Sequence, residues 1–173
     1  IASEIGGFVK INISKKEKII IKKIKISKKI DRLIKDKLVI VYTNQQRFAH
    51  KISNSQKKNL SNTIRCYEKI KDLNTNIINF IINGNYKHLS KSFDTHWNLK
   101  KRISGEITNY KINRMYSDII KNCGCLGGKL IGAGGGGFLL MVVKDKEKTK
   151  RLLNKKGYLF LEFVVDNEGS KII

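Results

Sequence analysis

Proline is absent from the 173 residues, and cysteine (three), methionine (two) and tryptophan (one) are scarce. No proline-rich linker, internal repeat or low-complexity segment therefore divides the chain. Three cysteines, an odd and small number, exclude a disulfide scaffold and fit a reducing compartment. No apolar run approaches the roughly 18 residues of a membrane-spanning helix. Nor does a charged segment followed by an apolar block open the chain, as in a secretory signal. The first residue is Ile1, and the methionines, Met115 and Met141, lie far inside; we expect a segment of a longer product.

What remains is enough for one ordinary domain, with 40% apolar and 29% charged residues. The net charge of +22, from 36 basic against 14 acidic residues, invites a nucleic-acid reading. The kind of base argues against it. Lysine supplies 30 and arginine six, whereas base edges and bidentate phosphate contacts favour arginine. Ile, Lys and Asn make up about 42% of the chain, a composition that A/T-rich codons give. In Lys15 to Lys29 the lysines largely alternate with isoleucines, on the solvent face of strands. No nucleic-acid or membrane partner is expected, and a surface this positive attracts phosphorylated small molecules. A lysine-rich nucleic-acid module stays as the competing class, with a vestigial or split-gene domain as a third.

The stretch from Gly6 to Ser27 reads as two strands, with Val9, Ile11 and Ile13 on one face and Ile20, Ile24 and Ile26 repeating the period of two. Leu38 to Thr43 is continuous and β-branched, as in a strand buried on both faces. The period then changes. Leu60, Ile64, Tyr67, Ile70, Leu73, Ile77 and Ile81 step by threes and fours, predicting a helix over 56–82 that Asn83-Gly84-Asn85 breaks. A second helix is expected over 86–101, with Leu89, Phe93 and Trp97 on one face, and a third over 107–121 with Ile112, Tyr116, Ile119 and Ile120. A basic helix over 146–155 stops at Gly157, the strand YLFLEFVV follows, and GSKII reads as one more strand. This is an α+β layout.

The chemistry concentrates in Gly132-Ala133-Gly134-Gly135-Gly136-Gly137, between two strand-like pieces. Consecutive glycines cost about 0.5–1 kcal/mol each in regular structure, tolerated where the backbone needs positive φ or a close approach. Successive N–H groups in such a turn form an anion nest. The loop is thus a phosphate or substrate cradle, or else a plain hairpin turn, which needs fewer glycines. The spacing of a Walker loop is absent.

Lys129 to Phe138 resembles the third, C-terminal motif of the GHMP sugar and mevalonate kinases. Val41-Tyr42-Thr43-Asn44-Gln45-Gln46-Arg47 is similar to the Y-T-G-x-x-R segment of the heptose 7-phosphate kinase branch. His96-Trp97-Asn98-Leu99-Lys100-Lys101 is similar to its W-x-L-K-[KR] helix, and Glu168 to Ile173 to its last strand. The resemblance implies a ferredoxin-like C-terminal domain over 36–173, an antiparallel sheet with helices on one face. Residues 1–35 would be strands remaining from an N-terminal domain.

It also implies transfer of the ATP γ-phosphate to a sugar hydroxyl, with ATP and Mg2+ as cofactors, a sugar phosphate as partner and a cytoplasmic place in surface-polysaccharide synthesis. Gly132, Gly134, Gly135, Gly136 and Gly137 would cradle phosphate or acceptor. Arg47 and Lys101 would hold the acceptor's phosphate, and Thr43 would bond the sugar or cap a turn. The family's P-x-x-x-[GL]-S-S loop has no counterpart here. Ile1 to Phe8 looks like the stretch just after the family's catalytic Asp-Gln pair, so no catalytic residue is assigned within the chain and the fragment alone is expected to be inactive. Cys123-Gly-Cys125, Cys66 and the three histidines lack metal-ligand spacing, so no metal site is assigned. His88 and His96 have no acid or nucleophile beside them in sequence and are not read as general bases.

Overall fold

The computed structural model describes residues 2–14, 16, 18–46 and 60–170. A helical turn, α1 (Ala2–Ile5), precedes the antiparallel ribbon of β1 (Phe8–Ile13) and β2 (Ile19–Ile24), registered Phe8 to Ile24 and Ile13 to Ile19. Two strands form here as expected, but burial does not alternate along them, and Ile11, Ile13, Ile19, Ile20 and Ile21 are exposed. The ribbon is tied at its base, where the Lys23 ammonium donates to the carbonyls of Ile5 (3.1 Å) and Asn167 (2.7 Å).

The expectation of strands up to residue 35 fails at α2 (Lys28–Lys37). Ser27 caps this helix by accepting from the Ile30 N–H (3.3 Å), and Ile30, Leu33 and Ile34 repeat at helical spacing. All three are buried with Leu38 and Val142 of the main sheet.

Four strands form that sheet: β3 (Leu38–Tyr42), β4 (Cys125–Leu130), β5 (Phe138–Val143) and the short β6 (Phe160–Leu161). The order is β4-β5-β3-β6 with every pair antiparallel. Helices α3 (Leu60–Ile82), α4 (Tyr86–Lys101) and α5 (Tyr110–Asn122) lie between β3 and β4, and α6 (Lys146–Lys155) between β5 and β6. This is the split βαβ plan of ferredoxin-like domains, as the family resemblance implied. The two central strands carry continuous apolar runs because both faces are covered. Val39, Val41, Leu139 and Met141 join Ile112, Met115, Ile119 and Leu153 in one cluster. Leu38 and Val142, on the other face, meet α2 together with Ile77, Leu89 and Phe93.

Three boundaries differ from the sequence reading. The third helix begins at Tyr110, because the Asn109 side chain caps it by accepting from the Ile112 N–H (3.0 Å) and Gly105–Ile107 forms a separate 3-10 turn. Of YLFLEFVV, only Phe160 and Leu161 pair, with Val41 and Ile40. Phe163 and Val165 pack on the α2 cluster instead of extending the ladder. Residues 168–170 form no strand, and 171–173 lie outside the described residues.

The edge strand β4 is shielded by α4. Gly127 leaves room for the helix backbone, since a Cβ there would fall 2.5 Å from the Ser90 carbonyl oxygen. Tyr116 completes the cover: the Gly128 N–H donates to its hydroxyl (3.0 Å), which donates to Asp94 (2.8 Å). Burial, and then the Asp94 hydrogen bond, push the Tyr116 phenol well above its usual range.

Candidate functional site

The glycine loop, 131–137, joins β4 to β5, so it is a hairpin connection, but a longer and more constrained one than a plain turn needs. The Gly135 N–H donates to Ile107 O (2.8 Å) and the Gly137 N–H to Gln45 O (3.1 Å). The Thr43 N–H (2.9 Å) and hydroxyl (2.8 Å) both donate to Gly137 O. Two glycines are dictated by these approaches. A Cβ on Gly134 would lie 2.9 Å from Ile107 Cα, and one on Gly136 would overlap the Gln45 carbonyl. The N–H groups of Ala133, Gly134 and Gly136 donate to no acceptor among the described residues. The loop is therefore tied to Ile107, Gln45 and Thr43 while several of its N–H groups remain available to an acceptor.

The end of β3 supplies the loop's support. Asn44 is the one non-glycine residue with positive φ (50°) among those described. It occupies the glycine position of the Y-T-G-x-x-R pattern, and asparagine tolerates this conformation best of the ordinary residues. Thr43 is buried, its hydroxyl committed to the loop exit. Beside it a cleft of about 420 Å³ is lined by Asn44, Gln45, Lys111, Lys156 and Tyr158.

On the other side α4 brings two lysines. The Lys100 ammonium donates to Gly132 O, whereas Lys101 sits over the Trp97 ring, 5.5 Å from its centroid. Lys129, on β4, places its ammonium 5.4 Å from the Phe93 centroid. Burial, then the charge of Lys100, pulls Lys129 down to about 8. His96 is buried and held neutral, at about 4, by burial and then by Lys129 and Lys100. Among the described residues no cluster of three His, Cys, Asp or Glu side chains could hold a metal.

The family description for the C-terminal part of GHMP kinases matches residues 77–156, which run from within α3 through the loop to the end of α6. Residues 77–156 therefore match the C-terminal domain of GHMP kinases. A D-glycero-alpha-D-manno-heptose 7-phosphate kinase of Campylobacter jejuni is 27% identical over 175 residues, covering 98% of this chain and 51% of that protein. A crystal structure of mevalonate kinase superposes with a TM-score of 0.65 at 27% identity, over 88% of this chain and 46% of that one. A D-glycero-D-manno-heptose 1-phosphate kinase of Bacteroides thetaiotaomicron gives 0.66 at 20% identity, over 98% and 46%, a likeness of fold alone. The chain spans about half the length of these relatives.

Around the glycine loop the structure gathers most of the residues singled out from sequence. Gly132, Gly134, Gly135, Gly136, Gly137 and Thr43 form one bonded unit. Arg47 lies outside the described residues. Lys101 is stacked on Trp97, and its neighbour Lys100 makes the loop contact. Sequence reasoning missed Lys100, Lys129 and the role of Gln45. For Lys100 a signal existed: it follows His96 by one helical turn, on a different face from the Trp97–Lys101 pair.

A second polar network anchors the turn after α6. Asp118 accepts from Lys156 (2.7 Å), Asn122 (2.7 Å) and Tyr158 (2.7 Å), which holds its carboxyl down at about 2. With His96, this gives two acid steps. The unfolded chain protonates His96 near 6.5 and the folded one only near 4, so stability is intact above that window and falls as pH drops through it. Asp118 adds a loss between 3.8 and about 2. Urea midpoints across the acid range should show the first step, roughly 3 kcal/mol. His96→Gln should flatten that step and leave the second.

Proposed function

We propose that this chain is the C-terminal part of an ATP-dependent sugar kinase acting on the anomeric hydroxyl of D-glycero-D-manno-heptose 7-phosphate. The alignment of 98% of the chain with a heptose 7-phosphate kinase carries the reading. Phosphoryl transfer depends on positioning and charge neutralisation more than on covalent chemistry by the protein, and the residues here suit that task. The open N–H groups of Ala133, Gly134 and Gly136 would donate to phosphate oxygens. Thr43 and Gln45 would keep the loop in place, and Arg47 and Lys101 would engage the acceptor's 7-phosphate. The net charge of +22 draws such anions in.

ATP supplies the transferable phosphoryl group. Among the described residues no three His, Cys, Asp or Glu side chains cluster, and no step is assigned to Mg2+ on them. In this reading the ATP loop and the general base come from an N-terminal domain, to which the β1–β2 ribbon belongs, and the 173 residues alone transfer no phosphate. The C-terminal domain then starts near Ser27, where α2 joins the sheet's core. Heptose phosphorylation would feed nucleotide-activated heptose for surface polysaccharide in the cytoplasm. No described helix is long and apolar enough to cross a membrane.

The test uses the full-length protein that contains this chain, with Mg-ATP and heptose 7-phosphate, mevalonate or galactose as acceptor. Phosphorus NMR should show a new anomeric phosphate with the heptose alone. A higher kcat/KM for mevalonate or galactose would replace the acceptor assignment, and no turnover of any sugar would end the sugar-kinase reading.

A further inference from the structure

Lys129 is treated by the fold unlike a surface lysine. It faces Leu140 across the β4–β5 ladder, with Phe93 beneath its ammonium. Lys129 is half-buried, and a lysine drawn partly out of water gains from a carboxylate beside it. Lys129 makes no ion pair or hydrogen bond with any described residue. Asp94 of α4 is engaged by Tyr116 and Asn98, and Asp118 of α5 by Lys156, Asn122 and Tyr158.

The groups that do surround Lys129 are positive or neutral. Lys100 bonds Gly132 O, and its charge bears on Lys129. The charges of both lysines bear on His96, whose Nδ1 is buried without a partner. This surplus of positive charge stands where β4 enters the glycine loop, and three loop N–H groups there lack acceptors among the described residues.

We infer that Lys129, Lys100 and the open N–H groups of the glycine loop form an anion subsite that takes a phosphate group. The anion supplies the counter-charge that the chain itself withholds, and Lys100 exchanges or shares its Gly132 contact with it. The subsite adds Lys100 and Lys129 to the phosphate-binding groups of the proposed kinase site. This deepens the kinase reading, but the test reads binding at one lysine, not turnover, so the two can fail separately.

The probe is pyridoxal 5′-phosphate, an aldehyde carrying its own phosphate, applied to the full-length protein at mildly alkaline pH. Its imine with a neutral amine, formed with loss of water, is fixed by borohydride and mapped by peptide mass spectrometry. Near pH 8 roughly half of Lys129 is neutral, against well under about 1% of an ordinary lysine. Lys129 should therefore be labelled at least about tenfold faster than the median lysine. Inorganic phosphate should suppress that labelling severalfold where chloride at equal ionic strength does not.

Lys100→Met should weaken the phosphate protection severalfold while Lys129 stays reactive, and Lys148→Met, on the exposed side of α6, should change nothing. Labelling without phosphate protection, protection matched by chloride, or no preference for Lys129 would each overturn the subsite. If Lys100→Met does not fold, the wild-type competition decides alone.

Discussion

Gly136→Ala should destabilise the protein by about 3 kcal/mol, while Gly105→Ala should stay within a few tenths. The Gly136 Cα faces the Gln45 backbone so closely that a methyl group would overlap its carbonyl carbon and oxygen. Backbone cannot rotate aside as a side chain can. Either the loop lifts, giving up the Gly137 N–H bond to Gln45 and the Thr43 bonds to Gly137, or the end of β3 moves. Gly105 has nothing within 4 Å of its would-be Cβ. Gly157 separates strain from crowding. Its φ is 72° with open space around it, so alanine there should cost about 1–2 kcal/mol from backbone conformation alone. Urea denaturation with an unchanged m-value is the measurement. If Gly136→Ala lies no lower than Gly157→Ala, the loop is not clamped on Gln45. A clamped loop also predicts that Gly136→Ala loses phosphate protection of Lys129.

The clamp shows what sequence could and could not reveal. That Gly132 to Gly137 is special follows from local chain physics, because consecutive glycines have few other uses. Why Gly134 and Gly136 in particular cannot change depends on Ile107 and Gln45, residues brought there by the fold. The central strands were legible because burial on both faces leaves an unbroken apolar run. The helix at 28–37 was hidden by a lysine-isoleucine texture that continues the strand period. Its own signal was a serine cap followed by apolar residues three, six and seven positions later.

In α3 the stripe read from sequence holds at Ile70 and Ile77, which are buried, and at Leu73 and Ile81, which pack on the core, but Ile64 and Tyr67 are exposed and Thr63 and Cys66 are buried in their place. Both choices at the start of the helix fit a period of 3.6, and the shape of the neighbouring elements decides between them. The same limit applies to Lys100 and Lys101. Consecutive helical residues point about 100° apart, and only the position of the glycine loop tells which one reaches it.

Trp97→Ala should cost about 3–5 kcal/mol, whereas Trp97→Phe should cost far less, about 1 kcal/mol. Trp97 is fully buried in the cluster that binds the helices to the sheet, 6.4 Å from the Tyr116 ring centroid. Removing it empties the joint between α4 and α5 and loosens the Tyr116 hydroxyl that covers the β4 edge at Gly128. It also removes the ring under Lys101. Phenylalanine restores most of that contact. The indole N–H has no hydrogen-bond partner among the described residues, so its loss orphans no acceptor and relieves a desolvated donor. A double-mutant cycle with Tyr116→Leu, which removes the ring, tests the coupling. The two side chains should interact by about 1 kcal/mol through ring contact, and strict additivity would mean that α4 covers β4 without help from Trp97. Because α4 also carries His96 and Lys100, Trp97→Ala should slow pyridoxal 5′-phosphate labelling of Lys129 only if this joint sets the distance between the two lysines. Unchanged labelling in a folded variant would place that distance under the control of β4 alone.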